Sequence, residues 1–320
     1  MKGFALPISP GDGDDQRGIV GLGTAALGRP AYMTTNHGQD LDGKISIEQM
    51  RTHAGTMFDL AYDRGVRYFD AARSYGLAEQ FLADWIGDRN PEGIFVASKW
   101  GQEYVADWDM EAEVQETKDH SIEAFRRQVE ESRQILGEHL NLYQVHSITP
   151  SSPVLTDQEL HSELAGLKAD GIRVGFSSSG PDQAEVLERA GAIAVDGVQL
   201  FDAAQVTWNP LDQSAAPQLQ ALSDAGVVVI IKEALANGRL GPDGDRVPLA
   251  GLPTGPADTV ALAAALNQSF ADVVLSGAVT AGQLESNLAA NSFDWDQSIR
   301  LDMAIDPKSY WEQRGERPWT

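Results

Sequence analysis

Short β-branched and aromatic runs alternate with longer amphipathic stretches from about residue 18 to about residue 295, which restricts this 320-residue chain to an α/β architecture. GIVGLGTA comes first. Ser46 and Gln49 then carry the pattern of a capping box that opens a helix to about residue 64, and VRYFDAA follows. The rhythm continues through helix 78–87 to IFVASKW, helix 121–136 to LNLYQVHS, helix 157–169 to IRVGFSSSG, and helix 182–190 to a run ending near Gln205. A helix at about 215–224 leads to VVVIIKEA, one at about 256–268 to DVVLSGAV, and helix 281–291 closes the series. The count is about eight strands, each followed by a helix, with no proline- or serine-rich linker between them. One closed (β/α)8 TIM barrel, spanning the whole chain 1–320 as a single domain, satisfies this pattern, since such barrels take about 250 residues. The apolar runs VVVII and DVVL agree with parallel strands buried on both faces. The rival, a doubly wound open sheet, needs a third glycine that GLGTAALG lacks at the required place.

Composition removes several functional classes. With no cysteine there is no disulfide framework, thiolate zinc site or cysteine nucleophile. The 24 Lys+Arg against 47 Asp+Glu give −23, a field that opposes nucleic acid and anionic membrane partners. No apolar run approaches the roughly 20 residues of a membrane span, and MKGFALPISPGDGDDQRG lacks a secretory pattern, so a cytoplasmic location is expected. Residues 1–17 are expected to be mobile. GQDLDGKISIEQ resembles a calcium-binding hand, but Gly38 and Gln49 occupy ligand positions, and a loop with a helix cap is the better reading. His37, His53, His120, His139 and His161 show no metal-ligand spacing, so no metal site is expected.

In a barrel, residues at the C-terminal strand ends converge on one mouth, where active sites lie. Here they are Asp70 and Tyr75 after the second strand, Lys99 after the third, His146 after the fourth, and Ser177 and Ser178 after the fifth. Gln205 ends the sixth, Lys232 and Glu233 the seventh, and Ser276 and Gly277 the eighth. Asp70 and Lys99, on neighbouring strands, are expected to form an ion pair, because isolated buried charges are strongly disfavoured. A cation beside Tyr75 favours its phenolate over an ordinary pKa of about 10, so Lys99 is expected to bring Tyr75 toward acid–base work near neutrality. A neutral His146 could donate to a carbonyl oxygen between it and Tyr75. Two other readings of these residues stay open: a plain buried ion pair with a rim tyrosine and a core histidine, and a lyase using Lys99 or Lys232 as a Schiff-base nucleophile.

FDAARSYG, SKW, YQVHS, GIRVGFSSS and SGAVTAGQLESNL, in this order and nearly end to end, resemble the aldo-keto reductase family. The resemblance implies an NAD(P)H-dependent enzyme that transfers hydride between a nicotinamide cofactor and an aldehyde or ketone, with Asp70, Tyr75, Lys99 and His146 as the catalytic tetrad. It also implies that Ser177, Ser178 and Gln205 meet the nicotinamide carboxamide, although the family usually has asparagine where Ser178 stands. Lys232 followed by Glu233 replaces a tyrosine that commonly stacks on the nicotinamide: either the lysine stem covers the ring face while its ammonium pairs with Glu233, or the two form a plain ion pair at the barrel rim. ANGRLG with Arg239, and Ser276-Gly277 opening the last helix, are expected to hold the pyrophosphate. Gln283 and Asn287 are expected at the adenosine. The family implies NADP(H). Neither Val279 nor Gln283 is cationic, however, so NAD(H) use is favoured more than in a typical member, with discrimination below about tenfold, or roughly 1.4 kcal/mol. A non-catalytic, cofactor-binding accessory subunit is the alternative function.

The substrate is expected to be a small carbonyl or alcohol, walled by the long loop after the third strand and by the C-terminal tail. Trp100, Tyr104 and Trp108 in the loop, and Tyr310, Trp311 and Trp319 in the tail, are the candidates, the alternative being that these aromatics pack on the barrel's outer helices; as a pocket wall Trp100 is preferred because it follows Lys99 directly. No heptad or interface stripe specifies an oligomeric state.

Overall fold

The computed structural model describes residues 18–33, 40–43, 45–242, 244, 253–296 and 298–317. The expectation of a mobile segment 1–17 and the candidate Trp319 lie outside them. The first strand, β1 (Ile19–Gly23), already pairs on both sides. It runs parallel to β2 (Tyr68–Asp70) and to the last strand, β12 (Val273–Ser276). The sheet therefore closes. Between those two lie β3 (Phe95–Trp100), β6 (Leu140–Ile148), β7 (Arg173–Ser178), β10 (Ala203–Thr207) and β11 (Val228–Lys232), all parallel, in the cyclic order β1-β12-β11-β10-β7-β6-β3-β2. This is the expected eight-stranded (β/α)8 barrel.

The surrounding helices are α1 (Ile47–Asp63), α2 (Ala78–Arg89), α3 (Ile122–Leu136), α4 (Gln158–Ala169), α5 (Gln183–Gly191), α6 (Ala216–Asp224), α7 (Ala257–Leu266) and α8 (Ala281–Leu288). Local chemistry starts several of them. The Ser46 hydroxyl accepts from the Gln49 amide and the Gln49 side chain accepts from the Ser46 amide, completing the expected capping box, and Thr280 with Gln283 repeats the device on α8. The outer strand faces and the inner helix faces form the main core, with Phe69, Val96, Val145, Phe176, Val206, Ile231 and Val274 on the barrel side. A second, smaller core fills the lumen: Tyr68, Phe95, Ala97, Leu142, Ala203, Val228, Ile230 and Val273. Within it Tyr68 and Phe95 stack at 5.5 Å.

Two hairpins interrupt the strand–helix rhythm where only loops were expected. β4 (Gln102–Tyr104) and β5 (Glu116–Lys118) fold the long segment after β3 into an antiparallel pair at the barrel mouth. A smaller pair, β8 (Ala194–Val195) and β9 (Val198–Gln199), precedes β10. The tail ends in α9 (Pro307–Gly315), whose Tyr310 and Trp311 pack with Leu211 and Leu240. Among the described residues no helix is long and apolar enough to cross a membrane.

Candidate active site

Side chains alternate between lumen and helix layer along every strand, so one apolar lumen layer predicts the identity of the next. Two residues beyond Tyr68, Ala97, Leu142, Ala203 and Ile230 stand Asp70, Lys99, Gln144, Gln205 and Lys232. A dry lower lumen thus ends in a polar layer at the mouth, where a cleft of about 340 Å³ opens over Asp70, Tyr75, His146, Gln205 and Lys232.

Lys99 and Asp70 are fully buried and form the expected ion pair. Lys99 Nζ also donates to the Ala71 carbonyl at 3.0 Å and to the Tyr75 hydroxyl at 3.3 Å. Asp70 Oδ2 accepts from Gln205 Nε2 at 2.8 Å and Gln144 Nε2 at 3.4 Å, so both carboxylate oxygens are occupied. A backbone crossing fixes Tyr75. A Cβ on Gly28 would come within 2.1 Å of the Tyr75 carbonyl oxygen, and one on Gly76, at φ +59°, within 2.4 Å of the Gly28 carbonyl oxygen. Only glycines let the first βα loop and the tyrosine loop touch here.

The expected fall in the Tyr75 pKa does not occur. Burial pushes the phenol well above its ordinary value, the Asp70 and Glu116 carboxylates push it the same way, and Arg29 opposes them. Lys99 spends its charge on Asp70, so Tyr75 stays protonated at neutral pH. His146 is held well below its ordinary value, first by burial and then by Lys99, Lys232 and other cations, and is neutral as expected. Its Nδ1 lies 3.3 Å from the Ser74 hydroxyl, and its ring stands edge-on to Tyr75 at 5.4 Å. The site can therefore present a phenolic proton and a neutral imidazole to one point in the cleft.

The substrate side differs from expectation. Trp100 does not line the cleft: because Lys99 faces the lumen, its neighbour must face out, and Trp100 is buried against Phe125 at 5.0 Å and His120 at 6.1 Å. Trp108 is also turned away, donating from Nε1 to the Ile45 carbonyl and packing on Phe81. Tyr104 sits on the outer hairpin, where its hydroxyl accepts from the Trp108 amide. Trp311 donates to Asp212 at 3.1 Å, and among the described tail residues it is Arg314 that lines the cleft. The walls near Tyr75 are instead Arg29, Tyr32, Gln102, Glu116, Glu233 and Arg314. Arg29 is buried among the rings of Tyr32, Tyr75 and Tyr104, pairs with Glu116 of the hairpin at 2.6 Å and donates to the Ser74 carbonyl at 3.0 Å. Nothing in the sequence pattern marks Arg29, Tyr32 or Glu116, which only tertiary contact brings to the site.

On β11 the order of pairing also changes. Glu233 binds Arg314 bidentately at 2.5 to 3.1 Å, whereas Lys232 lies 3.7 Å from Glu233 and donates to the Thr207 hydroxyl at 2.9 Å. Burial alone would raise the Glu233 carboxyl, but Arg314 and Lys232 outweigh it and push it down to about 2. Burial pushes Lys232 down to about 8, with Glu233 opposing.

Away from Tyr75 the cleft continues along Ser276, Gly277, Gln283 and Asn287, four of the residues expected at the cofactor. A Cβ on Gly277 would meet nothing within 4 Å, so the space above this backbone is open. Three other groups expected at the cofactor are placed as follows. Ser177 and Ser178 are fully buried at the end of β7: the Ser177 hydroxyl accepts from the Ser147 amide at 2.7 Å, the Ser178 hydroxyl has no hydrogen-bond partner among the described residues, and the neighbouring Ser179 lines the cleft wall. The side chain of Arg239 lies 6.0 Å over the Tyr310 ring rather than in the cleft. The amides of Ala236, Gly238, Arg239, Leu240 and Gly241 all donate within their own tight turn, which uses up donors expected for a pyrophosphate. Among the described residues no cluster of His, Asp and Glu could hold a metal ion.

A search among curated proteins gives no match to this chain. Solved structures share its fold. The aldo-keto reductase AKR11C1 from Bacillus halodurans, in its holo form, is 20% identical with a TM-score of 0.64, covering 95% of this chain and 94% of that one. The glycerol dehydrogenase AKR11B4 from Gluconobacter oxydans is 21% identical with a TM-score of 0.63, covering 93% and 91%. The model of the Aldo/keto reductase family matches residues 20–247, and with this span of sequence on a closed barrel the chain belongs to that family of NAD(P)H-dependent oxidoreductases.

Proposed function

We propose that this chain reduces an aldehyde or ketone to the alcohol, and oxidises the alcohol in reverse, with Asp70, Tyr75, Lys99 and His146 as the acting residues. The observation that carries this reading is the row of carboxylate, ammonium and phenol, Asp70 to Lys99 to Tyr75, ending in a cleft beside a neutral histidine. A nicotinamide cofactor, when bound, supplies or accepts the hydride. As negative charge grows on the carbonyl oxygen, the Tyr75 hydroxyl transfers its proton there, and the tyrosinate left behind faces Lys99 Nζ. Asp70, braced by Gln144 and Gln205, keeps that ammonium charged and in place. In the tautomer in which His146 Nδ1 accepts from the Ser74 hydroxyl, 3.3 Å away, Nε2 carries the proton and can donate to the same oxygen.

Residues supporting cofactor binding are Gln205, Ser276, Gly277, Gln283 and Asn287, all in the cleft wall, with the Lys232 stem beside them. NADP(H) is the family's usual nucleotide. NAD(H) is accepted here because Val279 and Gln283 carry no charge for a 2′-phosphate. The substrate is a small hydroxylated carbonyl, since the walls around Tyr75 are hydrogen-bonding groups rather than the aromatic faces of Trp100 or Trp108. The test is NADH and NADPH oxidation over aldehydes, ketones and aldoses, with Tyr75→Phe as control. Loss of turnover of about 10²–10⁴-fold with retained nucleotide binding is expected. Equal turnover by the variant would refute the assignment.

A further inference from the structure

The far end of the cleft, away from Tyr75, is enclosed by the first turn of α7 and the loop into α8. Asp258 of α7 is only 2% exposed yet forms part of this wall. Its Oδ2 accepts from the Asn287 amide at 3.1 Å when that amide is turned so that its oxygen accepts from the Ser276 hydroxyl at 2.8 Å. Among the described residues its Oδ1 has no hydrogen-bond partner. A buried carboxylate oxygen without a donor carries its desolvation penalty uncompensated, and a ligand hydroxyl in the cleft would relieve it. A second carboxylate, Asp40, lines the same end and accepts from Gln283 Nε2 at 2.8 Å. The Gln283 amide oxygen accepts from the Val279 and Thr280 amides at 2.9 and 3.2 Å, so two donors at the start of α8 are already used. Among the described residues lining this end, Asp40, Asp258, Ser276, Gly277, Gln283 and Asn287, none is cationic.

Hydride and proton must reach the same carbonyl, so on the cofactor reading above the nicotinamide end of a dinucleotide lies near Tyr75 and its adenosine end extends to the far part of the same cleft. The two nicotinamide nucleotides differ only at the adenosine 2′ position. A hydroxyl there can donate to a carboxylate. A phosphate there meets no cation among the described residues of this end and brings charge of the same sign beside Asp40 and Asp258. We infer, resting on that reading, that Asp258 receives the 2′-hydroxyl of the NAD(H) adenosine ribose, and that this carboxylate, supported by Asn287, turns away the 2′-phosphate of NADP(H). Discrimination then exceeds the tenfold limit set by missing cations alone.

The experiment is nucleotide binding without substrate, read by quenching of tryptophan fluorescence, with NADH and NADPH titrated into the wild-type protein and Asp258→Asn. The wild type is expected to bind NADH more than about tenfold tighter than NADPH. In Asp258→Asn, NADPH affinity is expected to rise and NADH affinity to fall, closing the gap to within about threefold. Displacement of NADH from the wild type by 5′-AMP but not by adenosine 2′,5′-bisphosphate gives the same answer without any variant. Equal weakening of both nucleotides, or an unchanged ratio, would overturn the role of Asp258 and leave the reductase reading standing. Binding of neither nucleotide would overturn both.

Discussion

Replacing Asp70 by asparagine tests whether the polar layer is a coupled unit. In the native protein Lys99 and Asp70 are essentially without solvent, at 0% and 2% side-chain exposure. Asp70→Asn would leave the Lys99 ammonium with the Ala71 carbonyl and the Tyr75 hydroxyl alone, and would place an amide where Gln144 and Gln205 now donate to a carboxylate. Removing one member of a buried pair costs about 3–5 kcal/mol, because the other charge stays buried without compensation. At about 2 °C per kcal/mol for a chain of this length, Tm should fall by about 6–10 °C. Lys99→Met should cost a similar amount for the mirror reason. The double variant leaves neither charge of this pair in the barrel, and an apolar chain of comparable length replaces the lysine, so it should be more stable than the sum of the singles predicts by at least about 3 kcal/mol. The assay is urea unfolding of the four proteins at pH 7, with turnover measured alongside. All three variants should lose turnover while the double variant regains stability. Additive losses would mean that Asp70 and Lys99 do not act on each other, and the account of how Tyr75 is supported would be wrong.

Gly28→Ala should displace the tyrosine loop, because its Cβ would meet the Tyr75 carbonyl oxygen at 2.1 Å and Ala78 Cβ at 2.5 Å. The expected result is a stability loss of about 1–3 kcal/mol with a larger proportional loss of turnover, and native turnover would refute it. Glu233→Gln should remove an acid-sensitive brace between the barrel and α9. A carboxyl lowered from 4.5 to about 2 in the fold adds stability that is fully present above pH 4.5 and is lost as pH falls through 2. That difference amounts to about 3 kcal/mol, so the wild-type advantage in urea unfolding should be large at pH 7 and shrink between pH 4.5 and 2. An advantage that is constant with pH would sink the idea. Arg29→Met should weaken kcat/KM for glyceraldehyde more than for butanal, since the Arg29–Glu116 wall offers hydrogen bonds that only the hydroxylated substrate uses. Equal losses would remove Arg29 from substrate recognition.

Several features were legible in the chain because they depend on near neighbours. Strand and helix boundaries follow from periodicity and caps, and Ser46 and Gln49 satisfy each other within one turn. Asp70, Lys99, His146 and Gln205 could be placed at the mouth because every parallel barrel strand delivers its C-terminal end there. The position of Trp100 was also recoverable. With Lys99 in the lumen, two-residue alternation sends Trp100 outward onto Phe125, because adjacent residues of a strand face opposite sides of the sheet.

Contacts that barrel closure creates between distant segments could be seen only in the folded chain. Gln283 meets Asp40, Arg314 meets Glu233 and Arg29 meets Glu116, and no local pattern selects one carboxylate over another among 47 acidic residues. The protonation of Tyr75 belongs to the same category. The tyrosine and lysine were visible in the sequence, but whether the phenol falls or rises depends on how far it is removed from water and on Asp70 having already claimed the lysine's charge. Periodicity and strand direction act locally, so the linear chain already encodes the barrel and the residue types at its mouth. Burial and closure act only once the chain is folded, and they set which side chains face the cleft and which charges those side chains keep.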